Sequence, residues 1–108
     1  MKIVLKFGGT SVGSGKKIIN VCEIVQKVKK NNQVIVVSSA LQSTTDELLE
    51  LSENAKKGQV NKKIINDIVQ RHQDAIKDII QDKKIQDEVF EEVSNLIKDL
   101  EKTVEGVI

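Results

Sequence analysis

The spacing of apolar residues changes from one stretch of this chain to the next, and each change predicts an element. Lys2 to Phe7 alternates and then runs apolar through Ile3-Val4-Leu5, the pattern of a strand buried on at least one face. From Lys16 to Lys30 the apolar residues Ile18, Ile19, Cys22, Val25 and Val28 fall on one helical stripe with lysines opposite. Cys22 is expected on the inward side of that helix as a small core residue. Asn31-Asn32 is expected to close it through the left-handed conformation that Asn tolerates. Gln33-Val34-Ile35-Val36-Val37 is then a continuous β-branched run, the mark of an interior parallel strand. Strand, helix and strand within the first 43 residues make a βαβ unit.

The remaining 44–108 read as helical. Thr44-Thr45-Asp46-Glu47 opens a helix through Leu48, Leu49, Leu51 and Ala55, with Thr44 and Glu47 spaced as a capping box and Lys57-Gly58 as the break. Ile65, Val69, His72, Ile76 and Ile79 trace a second helix between about Val60 and Ile80. A third begins at Lys83 or Lys84 and carries Ile85, Val89, Val93, Leu96, Leu100 and Val104, with Gly106 as the expected stop. The predicted class is α/β, a βαβ unit over 1–43 followed by a helical hairpin segment over 44–108.

Composition narrows the chemistry. At 108 residues the chain is one domain or less, and 39% hydrophobic residues suffice for a core and exclude an intrinsically disordered chain. Seventeen basic against sixteen acidic residues leave a net charge of +1, which gives no strong pull toward nucleic acid or an anionic membrane. Two aromatics, with no Trp or Tyr, also argue against stacking on single-stranded nucleic acid. No apolar run approaches the roughly 18 residues of a membrane span. The single Cys22 excludes an internal disulfide and fits a reducing compartment, so the expected location is cytoplasmic.

Two polar loops carry the candidate chemistry. Gly8 to Gly15 holds four glycines and three hydroxyl residues in eight positions, and Ser38 to Ser43 forms a second polar loop. Both leave the C-terminal ends of predicted parallel strands, the edge where ligands of open α/β folds bind. Glycines let a backbone approach a ligand closely and reach φ > 0, and their N–H groups can face an anion. Lys6, at the end of its strand, supplies a point charge for phosphate oxygens. A Walker A loop is excluded, because Thr10 stands five positions before Gly15 and Lys17 follows Lys16. The dinucleotide fingerprint fails as well, since Gly8-Gly9 breaks its spacing. On the residues alone, a structural turn with a solvated lysine stands beside the phosphate reading. Ser39 reads equally as a loop serine, Thr44 and Thr45 as helix caps, and His72 as a half-buried packing residue without a partner at metal spacing. No carboxylate pair is placed for acid–base work, and no metal ligands are assigned.

Lys6-Phe7-Gly8-Gly9-Thr10-Ser11-Val12 resembles, without a mismatch, the K-F-G-G-T-S-V signature of the aspartate kinases. Ser39-Ala40 with Thr44-Thr45-Asp46 resembles that family's second segment, and the likeness covers essentially the whole chain as the amino-terminal portion of the catalytic domain. The resemblance implies the three-layer amino-acid kinase fold and transfer of the ATP γ-phosphoryl group to the β-carboxylate of L-aspartate, with Mg²⁺. That reaction opens lysine, threonine and methionine synthesis. By position it implies that Lys6 is catalytic and stabilises the transferring group, that Gly8, Gly9, Thr10 and Ser11 bind phosphate with it, and that Ser39 and Thr45 hold aspartate. Gln42-Ser43 departs from the Ser-Gly pair frequent in the family, which bears on local loop geometry.

Two parallel strands alone make a poor sheet, and nothing after residue 40 reads as a third. The chain is therefore expected to be a truncated and inactive part of such a kinase, without its ATP-binding half and regulatory domains. An uncovered edge also predicts self-association or a homo-oligomer. The alternatives are another amino-acid kinase family member or a stand-alone, non-enzymatic helical module using the heptad-like stripe from Ile85 to Val104.

Overall fold

The structure, a computed structural model, describes residues 1–108. Its elements are β1 (Lys2–Phe7), α1 (Gly15–Lys29), β2 (Gln33–Ser38), α2 (Thr44–Lys56), α3 (Lys62–Ile79) and α4 (Lys83–Val107). They fall into two compact units, Met1–Gln42 and Ser43–Ile108. No helix is long and apolar enough to cross a membrane.

In the first unit β1 and β2 pair in parallel, in register from Lys2 opposite Gln33 to Phe7 opposite Ser38. Alternation along β1 sends Leu5 and Phe7 to the α1 side, where they meet Val12, Ile18, Val21 and Val25. The opposite face of the sheet carries Lys6 among Val4, Ile35 and Val37, which are 63%, 58% and 46% exposed. The run expected to be an interior strand is thus, within this chain, one of only two strands, and its apolar residues are largely uncovered.

Helix α1 starts where Ser14 accepts a hydrogen bond from the Lys17 amide at 3.4 Å. It ends differently from expectation. Lys30 stays right-handed, and the Asn32 side-chain amide donates to the Val28 carbonyl at 3.0 Å, so Asn acts through its side chain and not through a left-handed backbone. Cys22 is a second correction, because it is exposed. The inward stripe runs through Ile18, Val21 and Val25, and Cys22 lies about 100° further round from Val21, past the edge of what the two strands cover.

The second unit has its own core of Leu51, Ile64, Ile65, Ile68 and Ile97, bordered by Val60, Val69, Val93 and Leu100. The expected hairpin of α3 and α4 is joined by α2, which packs on both. Gly58, at φ 78°, ends α2 in the left-handed conformation open to glycine, with its amide donating to the Ala55 carbonyl at 3.0 Å. Asn61 then caps α3 by accepting from Ile64, while its amide donates to the Asn54 side chain at 3.0 Å and ties the two helices together. Asp82 caps α4 through Lys84 and Ile85. Gly106 does not stop α4, which runs to Val107. A glycine weakens a helix interior but ends one only where the chain needs positive φ. The stripe expected along α4 is also shifted: Ile97 is buried, Leu96 is 68% exposed, and Val93 and Leu100 are used inside this core.

Candidate phosphate-binding site

The candidate residues of the first unit gather around the end of β1. Ladder pairing carries β2 one step past its last strand residue, so the Ser39 amide donates to the Phe7 carbonyl at 3.0 Å. Ser39 therefore stands beside the start of the glycine loop, as the parallel pairing of the two strands requires. The loop itself folds back at once, with the Ser11 amide donating to the Gly8 carbonyl at 3.0 Å. At Gly13 it closes on itself and on the second loop. A Cβ there would sit 3.1 Å from the Gly9 carbonyl oxygen and 3.4 Å from the Gln42 side chain, so any larger residue would push the two loops apart.

Gly8 and Gly9 differ from Gly13. Neither has a positive φ, and a Cβ on either would meet nothing within 4 Å. Conformational freedom, part of the sequence-based argument for these glycines, is not what the backbone uses. What they leave is open space beside bare main chain, which suits close approach of a ligand. Thr10 and Ser11 are both exposed and line a groove of about 310 Å³ with Phe7, Lys17, Asn20, Val21 and Ile24. Lys17 and Asn20 were not singled out from the sequence, where the lysines of α1 figured only as the side opposite its apolar stripe. Their signal was position: both lie in the first two turns of the helix that leaves the loop. The N-terminal end of that helix adds amide groups and a positive dipole end to the same corner.

Lys6 stands apart from this groove. It is exposed and projects from the sheet face opposite α1, across from Val37. The ion pairs of the chain are Lys56 with Glu53, Arg71 with Glu47 and Lys83 with Asp87, so the Lys6 charge is not neutralised by a carboxylate. Open glycines, exposed hydroxyls and a helix N-terminus are groups that can face an anion, while the free Lys6 ammonium lies on the other face of the sheet. No group of three or more His, Cys, Asp or Glu side chains is placed to hold a metal.

Thr45 belongs to the second unit, as the second residue of α2, and is exposed. The expected capping box is not formed. The helix begins one residue earlier, at a Ser43 cap with φ 69° and no side-chain cap hydrogen bond, and Thr44 is buried with its hydroxyl unpartnered. Glu47 turns instead to Arg71 of α3. His72 is half-buried, and its Nδ1 lies 2.7 Å from the Ile68 carbonyl, to which an Nδ1–H donates; it packs, as its isolation in the sequence indicates.

Comparison with known proteins bears on the family of the chain. The model of the amino acid kinase family matches residues 1–105. An aspartokinase of Bacillus sp. (strain MGA3) is 59% identical over 51 residues, 46% of this chain and 12% of that protein. The aspartokinase of Geobacillus stearothermophilus is 53% identical over 51 residues, again 46% and 12%. That of Helicobacter pylori (strain J99) is 49% identical over 55 residues, 50% and 14%. The matches thus cover about half of this chain and about one eighth of those relatives. With a family model matching nearly end to end, the chain belongs to the amino acid kinase family.

Proposed function

We propose that residues 1–108 form the phosphate-handling, amino-terminal part of an aspartate kinase, within the three-layer fold of that family and in the cytoplasm. The observation that carries this reading is the meeting of Lys6 to Val12 with Ser39 at one end of the two-stranded sheet, held by the hydrogen bond from Ser39 to Phe7. The reaction is attack of the aspartate β-carboxylate on the γ-phosphorus of ATP, which breaks the bond to the bridging oxygen and releases ADP; Mg²⁺ would offset charge on the phosphates, and no residue of this chain is assigned to hold it. Lys6 neutralises negative charge on the transferring group. The Gly8 and Gly9 amides and the Thr10 and Ser11 hydroxyls orient the phosphates. Ser39 and Thr45 hold the aspartate. None of these groups acts as a nucleophile, in keeping with a transfer governed by position and charge.

The uncovered sheet face at Val4, Ile35 and Val37 further supports self-association of the chain, which light scattering at rising concentration reads directly as mass above that of a monomer. The function itself is tested by grafting residues 1–105 in place of the matching segment of the Geobacillus stearothermophilus aspartokinase. The hybrid is expected to release ADP in the presence of aspartate and to form aspartyl phosphate, trapped as its hydroxamate. A folded hybrid that prefers glutamate or another acceptor would assign the chain to a different member of the family.

A further inference from the structure

We infer that Arg71 is a positioning residue for aspartate: by pairing with Glu47 it fixes the first turn of α2, and with it the hydroxyl of Thr45. This rests on the reading of Thr45 as an aspartate contact. The first turn of α2 lacks the usual local restraint. Its cap residue, Ser43, contributes no side-chain hydrogen bond and sits in the left-handed region that a serine occupies at a cost. Thr44 adds a buried hydroxyl with no partner. What holds the turn is tertiary. Glu47, its side chain only 15% exposed, accepts through its carboxylate from an Arg71 terminal nitrogen on α3, whose side chain is 33% exposed.

The pair is committed from both ends. Glu47 makes no capping contact, and the Arg71 Nε is buried without an acceptor, so the guanidinium has Glu47 as its single anionic partner. Removing either residue leaves the other charge poorly solvated and unpaired. Thr45 lies two residues before Glu47, in the same helical turn, and the Glu47 amide closes that turn on the Ser43 carbonyl at 3.0 Å. Loosening the pair therefore frees the turn that carries the Thr45 hydroxyl, whereas the glycine loop belongs to the other unit.

The test uses Arg71→Met, Arg71→Lys and Glu47→Gln, read in two ways. In the 108-residue chain, hydrogen exchange at the Glu47 amide should speed up by roughly tenfold in Arg71→Met and less in Arg71→Lys, with α4 amides unchanged. In the hybrid kinase, Arg71→Met should raise the aspartate KM by about tenfold while the ATP KM and kcat stay within about twofold, and Arg71→Lys should recover part of the loss. An unchanged Glu47 amide overturns the anchor. A rise in both KM values together, or an unchanged aspartate KM in an active hybrid, overturns the positioning role. A parent hybrid that turns over no aspartate sinks the functional reading instead, while the exchange experiment still judges the anchor.

Discussion

On the proposed function, the two units of this chain divide most of the chemistry from most of the buried core. Met1–Gln42 carries the glycine loop proposed to bind phosphate, Lys6 and Ser39, yet its buried apolar residues are only Phe7, Val12 and Val21. Ser43–Ile108 holds the other nine buried apolar residues of the chain, from Leu51 to Val104, and of the aspartate-site candidates carries Thr45 alone. The contrast follows from the elements. Three amphipathic helices can bury their stripes on one another, whereas a two-stranded parallel sheet with one helix leaves a face and both outer edges unspent. The site therefore sits on the unit that depends more on covering partners, and the helical unit is the one able to hold itself together.

The largest expected effect separates the two roles. Lys6→Ala in the hybrid kinase should lower kcat by about 10²–10³-fold, the scale of losing a preorganised charge at a transferring group. The same change should leave the urea midpoint of the 108-residue chain almost where it was, because Lys6 is exposed and unpaired. Initial rates and equilibrium unfolding read the two halves of that statement. A large loss of stability with Lys6→Ala would break the division.

Leu51→Ala is the converse. Leu51 is 1% exposed at the centre of the helical core, and its truncation should cost roughly 2–5 kcal/mol, seen as a lower denaturation midpoint of the helical signal. Far smaller is the expected effect of Ser43→Gly. Ser43 holds φ 69°, so glycine should be neutral or stabilise by up to about 1 kcal/mol in the same measurement. A clear destabilisation would show that Ser43 contributes a contact beyond its backbone conformation.

Much of this was legible in the residues. All six elements begin and end within a few residues of where apolar spacing places them, because each is long enough for its period to be unambiguous. The seven residues from Lys6 to Val12 carried the family, and the structure places them at a strand end, next to Ser39, as parallel pairing demands. The errors have more than one cause. Where two apolar residues are adjacent, as with Val21-Cys22 and Leu96-Ile97, periodicity cannot tell which faces inward until the packing partner is known. Thr44 and Glu47 fitted a capping box in sequence, but Arg71, 24 residues on, competed for the carboxylate. Gly8 and Gly9 were expected to offer close approach and positive φ; the space beside them is open, and neither takes a positive φ. Local rules rank such options; tertiary contacts choose among them.

The ¹⁵N-resolved NMR spectrum of the 108-residue chain, titrated with pyrophosphate, tests the central claim that phosphate chemistry resides in the first unit. The account predicts weak, saturable shifts at the amides of Gly8, Gly9, Thr10 and Ser11, with α3 and α4 unmoved. Shifts centred on α3 or α4, or a glycine loop that does not respond, would contradict it.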